Sequence, residues 1–221
     1  MTKENKEKLK TWRIQKMEEC KYFPKYFYYF SLTDNLENII DFGILPKNEI
    51  ENKKITTKSF ANPGVQHWRK ITNCPISGGK NKKIHDLVPV YLNPRTPTIS
   101  AVRNYQKQIF FCLINSKKLI SDTEIDFAFT DGNASSKITQ FYWNLNNLKK
   151  LNWKIINGLN WNDEKDGKRI RNCEFLIFPK IKVDYIDIIT CFDTSSLLKI
   201  TKIIKSRNLK IKTNIVDFFW T

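Results

Sequence analysis

Residues 170–180, Ile-Arg-Asn-Cys-Glu-Phe-Leu-Ile-Phe-Pro-Lys, carry an apolar run from Cys173 to Phe178 with one carboxylate, Glu174, set into it. So short a run, bounded by polar residues and Pro179, predicts a strand buried on both faces. Carboxylates are rarely buried without a partner, so Glu174 needs a reason to stand there. Three reasons are open at this point: an ion pair with nearby Arg169 or Arg171, an exposed strand end, or a functional role.

Outward from this strand, the second half of the chain alternates strands with helices. LVPVYL, QIFFCLI, IDFAFT, CEFLIF and VDYIDIITCF read as strands, and a last strand falls near Ile211 to Phe219. A helix is expected from Ser135 to Leu148, where Ile138, Phe141, Tyr142 and Leu145 recur at helical spacing, and another from Ser195 to Lys205. Pro89 inside LVPVYL points to an edge strand or a strand start, and NPRTP at 93–97 to a turn with Arg95 at its tip. Upstream, YFPKYFYYF reads as a buried strand after Pro24. In TDNLENIIDFG, Thr33 or Asp34 caps a helix that Gly43 stops. Residues 44–83 are basic and irregular, with a short helix predicted at Val65–Ile71 inside an otherwise long loop holding His67, Trp68, Arg69 and Lys70. Residues 1–21 read as a basic surface helix or arm, and 22–221 as one domain of α+β class.

Composition narrows the function. Of 221 residues, 38 are Lys or Arg and 22 are Asp or Glu, a net charge of +16, which points first to a polyanion such as nucleic acid. The 31 Lys, 28 Ile and 22 Asn are equally what an AT-rich genome would encode, so charge alone does not establish nucleic-acid contact. Cysteines at 20, 74, 112, 173 and 191 form no C-x-x-C pair and predict a reduced, intracellular chain. His67 and His85 do not have metal-site spacing, so no metal is expected. SGGK at 77–80 is not a phosphate loop, since Cys74 and Asn81 stand where glycine and Ser or Thr are required. The absence of a long apolar segment and of an apolar core in MTKENKEKLK predicts a cytoplasmic protein without membrane contact.

Taken in order, LTDNL, FGIL, NPGVQHWR, HDLVPVYLNPRTP, FTDGNASS and the stretch from Arg169 through Glu174 resemble the DarT family of DNA ADP-ribosyltransferase toxins over residues 26–180. That resemblance implies a single-domain ADP-ribosyltransferase fold, two packed β-sheets forming an NAD cleft with flanking helices. It implies transfer of ADP-ribose from NAD, a co-substrate, to thymine, or alternatively guanine, in single-stranded DNA, without a metal, with a macrodomain antitoxin as partner. By the same resemblance Glu174 and Arg69 are catalytic, and Tyr29, Ser31, Asn35, Leu36, Arg69 and Tyr91 hold NAD. Arg95, Thr98, Asn133 and the charged loop 161–170, with Trp161, Lys168 and Arg169, face the DNA. Such an assignment suits the residue types. Breaking a nicotinamide glycosidic bond builds positive charge on the ribose, which a fixed carboxylate stabilises, and a guanidinium forks to two acceptors where lysine cannot. Exposed aromatics, Trp68 or Trp161 first, would stack bases of a single strand. Two other classes stand beside it: a non-catalytic basic domain that binds single-stranded nucleic acid, and a nuclease, disfavoured because the carboxylates lack a metal-binding spacing.

Overall fold

The computed structural model describes residues 1–216. It opens with helix α1 (Lys3–Glu19), capped by the Thr2 hydroxyl, where a short helix or frayed arm was one expectation. The helix is anchored: Met17 enters the core, and Arg13 donates from Nη1 to the carbonyls of Ile120, Asp122 and Ile125. Those three bonds, with the guanidinium 5.2 Å from the Phe127 ring, offset the desolvation of a buried charge.

Strand β1 (Tyr26–Leu32) leads through a 3₁₀ turn at Thr33–Asn35 into α2 (Leu36–Phe42). The expected glycine stop is there: Gly43 has φ +81°, and a Cβ on it would lie 2.5 Å from the Ile181 carbonyl oxygen. Residues 44–83 are more regular than a loop. They hold α3 (Lys47–Asn52), α4 (Pro63–Ile71) and a hairpin of β2 (Asn73–Pro75) with β3 (Asn81–Lys83). Helix α4 begins where NPG requires, with Pro63 in its first turn and the Asn62 side chain accepting from the Gly64 and Val65 amides. SGGK forms the hairpin turn.

The remaining elements are β4 (Val88–Tyr91), α5 (Pro97–Ala101), β5 (Ile109–Asn115), α6 (Ser116–Ser121), β6 (Asp126–Thr130), β7 (Phe141–Tyr142), α7 (Trp153–Asn157), α8 (Gly167–Arg171), β8 (Glu174–Phe178), β9 (Ile186–Cys191), α9 (Thr194–Ser206) and β10 (Lys212–Ile215). The expected last strand lies in β10 and, beyond 216, outside the described residues. The helix expected at Ser135–Leu148 does not form; turns, β7 and a 3₁₀ segment at Leu145–Lys150 replace it. Side chains capture the backbone first: Asp131 accepts from the Gln140 amide, Thr139 Oγ1 donates to the Asn133 carbonyl, and Asn133 Oδ1 accepts from the Ser135 amide. Ile138, which the pattern placed on the buried face, is 65% exposed.

The α+β class holds, with an eight-stranded sheet in the order β10-β9-β5-β1-β4-β8-β6-β7 beside the two-stranded hairpin. One joint of the large sheet is weak. Strands β1 and β4 meet at a single register pair, Tyr28 with Tyr91, whereas β1 and β5 pair over seven residues. Pro89 sits in β4, an interior strand rather than an edge, and its missing N–H limits pairing there. The sheet therefore parts into two four-stranded halves. Phe27 stacks on Phe175 at 4.6 Å and Phe129 on Phe175 at 5.0 Å, so one aromatic core spans both halves on one face. The other face of β6 and β8, with Ala128 and Leu176, packs against Cys74, Ile76, Ile84 and Leu87 of the hairpin segment.

Candidate active site

Strand alternation decides where Glu174 points. Phe175 and Ile177 face the aromatic core, so Glu174 and Leu176 face the hairpin and α4. The Glu174 amide donates to Thr130 Oγ1 at 3.0 Å, and that hydroxyl donates to the Gly132 carbonyl at 2.6 Å, tying the strand start to the TDGN turn. The partner of the carboxylate is neither Arg169 nor Arg171 but Arg69, 105 positions earlier. Arg69 Nη1 and Nη2 lie 3.1 and 2.9 Å from Oε1 and Oε2, and the Ala134 amide donates to Oε1 at 3.3 Å. Glu174 is 2% exposed. The bidentate fork and the backbone donor are what such burial demands. Burial alone would lower the Arg69 pKa, but the carboxylate outweighs it and holds the guanidinium above its ordinary value.

Tyr91 is the register partner of Glu174 and therefore shares its face. Burial, reinforced by the carboxylate, pushes its phenol well above the ordinary value, so it stays a neutral hydroxyl. Burial likewise pushes Tyr29 up to about 12. These groups line a cleft of about 1060 Å³ at the parting of the sheet halves. Small-molecule sites run to about 1,000 Å³, so a dinucleotide fits.

Among the residues singled out in the sequence, Tyr29, Ser31, Asn35, Arg69, Tyr91, Thr98, Asn133, Lys168 and Glu174 line this cleft. Leu36 does not; it is fully buried in the core below. Arg95, Trp161 and Arg169 also stand off the cleft wall. Arg169 bonds Asp131 at 2.8 Å, Asp166 at 2.6 Å and Thr139 at 3.0 Å, clamping the turn that displaced the expected helix. Trp161 is half-buried beside the Arg171 guanidinium, whereas Trp68 and Trp143 are exposed.

Asn35 reaches the cleft with its polar atoms engaged. Nδ2 donates to Ser31 Oγ at 2.9 Å and to the Lys58 carbonyl at 2.8 Å, while Oδ1 accepts from the Lys58 amide at 2.9 Å. Asn38 bonds the Thr56 carbonyl and Lys58 pairs with Asp34, so residues 55–62 form a latched strap along the cleft. Nothing in the local pattern announces this, because a strap is made by partners 18 to 24 positions apart. Asn35→Ala is expected to cost about 1–3 kcal/mol for backbone groups left unpaired. Limited trypsin digestion should then cut at Lys54 and Lys58 faster than in the unaltered chain; equal rates would show that the latch holds nothing.

His85, also missed as a site residue, lines the cleft with Nε2 3.0 Å from Gln66 Oε1. Burial, with Lys47, Arg69 and Lys70 outweighing Glu51, lowers its pKa. The folded chain then takes up the proton less readily than the unfolded one. Stability is complete above the ordinary imidazole value of about 6.5 and falls as pH drops below it. Urea midpoints measured across that range should show the fall in the unaltered chain and a flatter line in His85→Gln; equal slopes would contradict it.

Among the described residues, no three His, Cys, Asp or Glu side chains could together hold a metal ion, and no helix is long and apolar enough to cross a membrane.

Comparison with known proteins places this architecture. A family model described as "DarT: ssDNA thymidine ADP-ribosyltransferase" matches residues 28–220. A DNA ADP-ribosyl transferase of Thermus aquaticus is 28% identical over 176 residues, 75% of this chain and 76% of that protein. A DNA ADP-ribosyl transferase-DNA ADP-ribosyl glycohydrolase fusion protein of Thermosipho africanus is 26% identical over 89% of this chain, which spans 50% of the fusion. The fold matches that of Thermus sp. 2.9 DarT in complex with ADP-ribosylated ssDNA, with a TM-score of 0.78, 22% identity, and coverage of 89% of this chain and 97% of that one. The same Thermus protein in complex with NAD+ matches with a TM-score of 0.74 at 21% identity, covering 89% of this chain and 98% of that one. With the family model matching residues 28–220 of 221, this chain belongs to the DarT family of DNA ADP-ribosyltransferases.

Proposed function

We propose that this chain transfers ADP-ribose from NAD to thymine in single-stranded DNA and releases nicotinamide. We further propose that it acts in the cytoplasm as a toxin whose mark a macrodomain glycohydrolase removes. The observation that carries the reading is the buried Arg69–Glu174 fork opening on a dinucleotide-sized cleft.

The chemistry follows from that pair. When the bond between ribose C1′ and the nicotinamide nitrogen breaks, its electrons leave with nicotinamide and positive charge grows on the sugar. Glu174, 2% exposed on the cleft wall, is the carboxylate that would face that charge. Within a strand, thymine keeps one ring N–H, at N3. Attack by that nitrogen on C1′ forms the new bond, and the N3 proton passes to Glu174 and then to water. Arg69 fixes the direction of the carboxylate through its fork, while neutral Tyr91 supplies a hydroxyl beside it. Lys168, exposed on the rim, and the net charge of +16 suit the phosphates of the acceptor strand. The fusion of a transferase with a glycohydrolase in the Thermosipho relative supports an antitoxin partner for this chain.

One specific observation favours a second reading, a non-catalytic nucleic-acid-binding domain: both carboxylate oxygens are already paired, as in a purely structural salt bridge. Labelled NAD incubated with single-stranded oligonucleotides separates the two. Label should enter a strand containing thymine and not one whose only candidate acceptor is guanine. Binding without label supports the second reading, and label on guanine, RNA or protein alone overturns the acceptor named here. A macrodomain glycohydrolase should then release the label.

A further inference from the structure

The outer face of α4 has no role in the cleft chemistry above. Trp68 is 42% exposed, and Val65 and Ile71, three residues to either side on the same face, are 38% and 46% exposed. Arg69, the next residue, turns inward to Glu174. Val65 also lines the cleft, so this apolar face starts at the cleft rim and runs outward from it. Lys137 Nζ lies 4.8 Å from the Trp68 ring centroid. It belongs to the turn whose Ala134 amide holds Glu174 and whose Ser135 lines the cleft. The His67 ring stands edge-on to Trp68 at 6.3 Å.

We propose that Trp68 is the stacking platform for a nucleobase next to the acceptor base, with Lys137 meeting the phosphate between the two. This rests on the transferase reading, which it deepens. An exposed aromatic with a cation over its ring is the pairing that single strands use, base on the ring and phosphate on the charge. A strand whose acceptor base reaches Glu174 passes this rim, and the surrounding surface carries Lys70 and Lys137 in a chain of net charge +16. A protein partner would need larger apolar area than three side chains supply. Because every base has a π-face, the platform selects for the presence of a neighbouring base and not for its identity.

Oligonucleotides with a single thymine, intact or with an abasic position on one side of it, test this in the unaltered chain, Trp68→Ala, Trp68→Phe and Lys137→Ala. Trp68→Ala should lower kcat/KM for DNA on the order of 5- to 150-fold, mainly through KM, and Trp68→Phe should recover part of the loss. One abasic position should impose a similar penalty on the unaltered chain and almost none on Trp68→Ala. Lys137→Ala should reduce the salt slope of binding by about one. An abasic penalty that is equal in both chains, or labelling by Trp68→Ala at the unaltered rate, overturns the platform. Equilibrium binding of the same strands reads the platform apart from transfer. Coupled binding without labelling would overturn the transferase reading and keep the platform.

Discussion

Glu174→Ala is expected to lower DNA ADP-ribosylation on the order of 10² to 10³-fold or more, because it removes the buried carboxylate that would face the ribose cation. The same change should destabilise the chain by about 3–5 kcal/mol, since Arg69 would be left buried without its counter-ion. Loss of activity and loss of stability therefore come together in the single variant. The double variant Arg69→Met with Glu174→Leu separates them. Replacing a buried ion pair by apolar groups of similar volume is often neutral or stabilising, so denaturation midpoints should return close to those of the unaltered chain. Transfer should stay as low as in Glu174→Ala. A double variant that is stable and still labels DNA would make the pair a structural device and nothing more.

Arg69 variants are expected to show the second largest effect. Arg69→Lys keeps a cation but not the fork, so a loss on the order of 10²-fold is expected. Arg69→Ala strands the Glu174 carboxylate in a site where it is 2% exposed. Removing one partner of a buried pair costs about 3–5 kcal/mol, so Arg69→Ala should lose more stability and more activity than Arg69→Lys. Transfer rates and denaturation midpoints of the three chains give the comparison. An Arg69→Ala chain as stable and as active as Arg69→Lys would show that the cation does not hold Glu174 in place.

Most strands of the large sheet, the helix at 65–71 and the Gly43 stop were legible because each is written in neighbouring residues, whereas β2, β3 and β7 were not. Glu174 stood out for the same reason, as one charge in an apolar strand. Its partner was reached only through the family resemblance, since Arg169 and Arg171 are near in sequence while Arg69 lies 105 positions away and meets Glu174 only in the fold. The failed helix at 135–148 shows the converse. Ile138, Phe141, Tyr142 and Leu145 have helical spacing, yet Asp131, Asn133 and Thr139 bond the backbone of the turn, and Arg169 locks it from α8. Long-range polar partners overrode a local apolar period.

Site residues divide along the same line. Tyr91 was reached through the family resemblance, and the register with Glu174 gives it a physical place. Leu36 was named with Asn35, but the single step from the 3₁₀ turn at Thr33–Asn35 into α2 turns the side chain from cleft wall to core. His85, Gln66 and the Asn35 latch on residue 58 depend on contacts between segments far apart, and no local spacing encodes them.

The most direct measurement is the intact mass of a single-stranded oligonucleotide holding one thymine, after incubation with NAD and the chain, with fragmentation to locate any adduct. One added ADP-ribose on that thymine is expected with the unaltered chain, and at most a trace of it with Glu174→Ala over the same time. An unmodified strand in the first case, or an equal adduct in the second, would contradict the transferase reading.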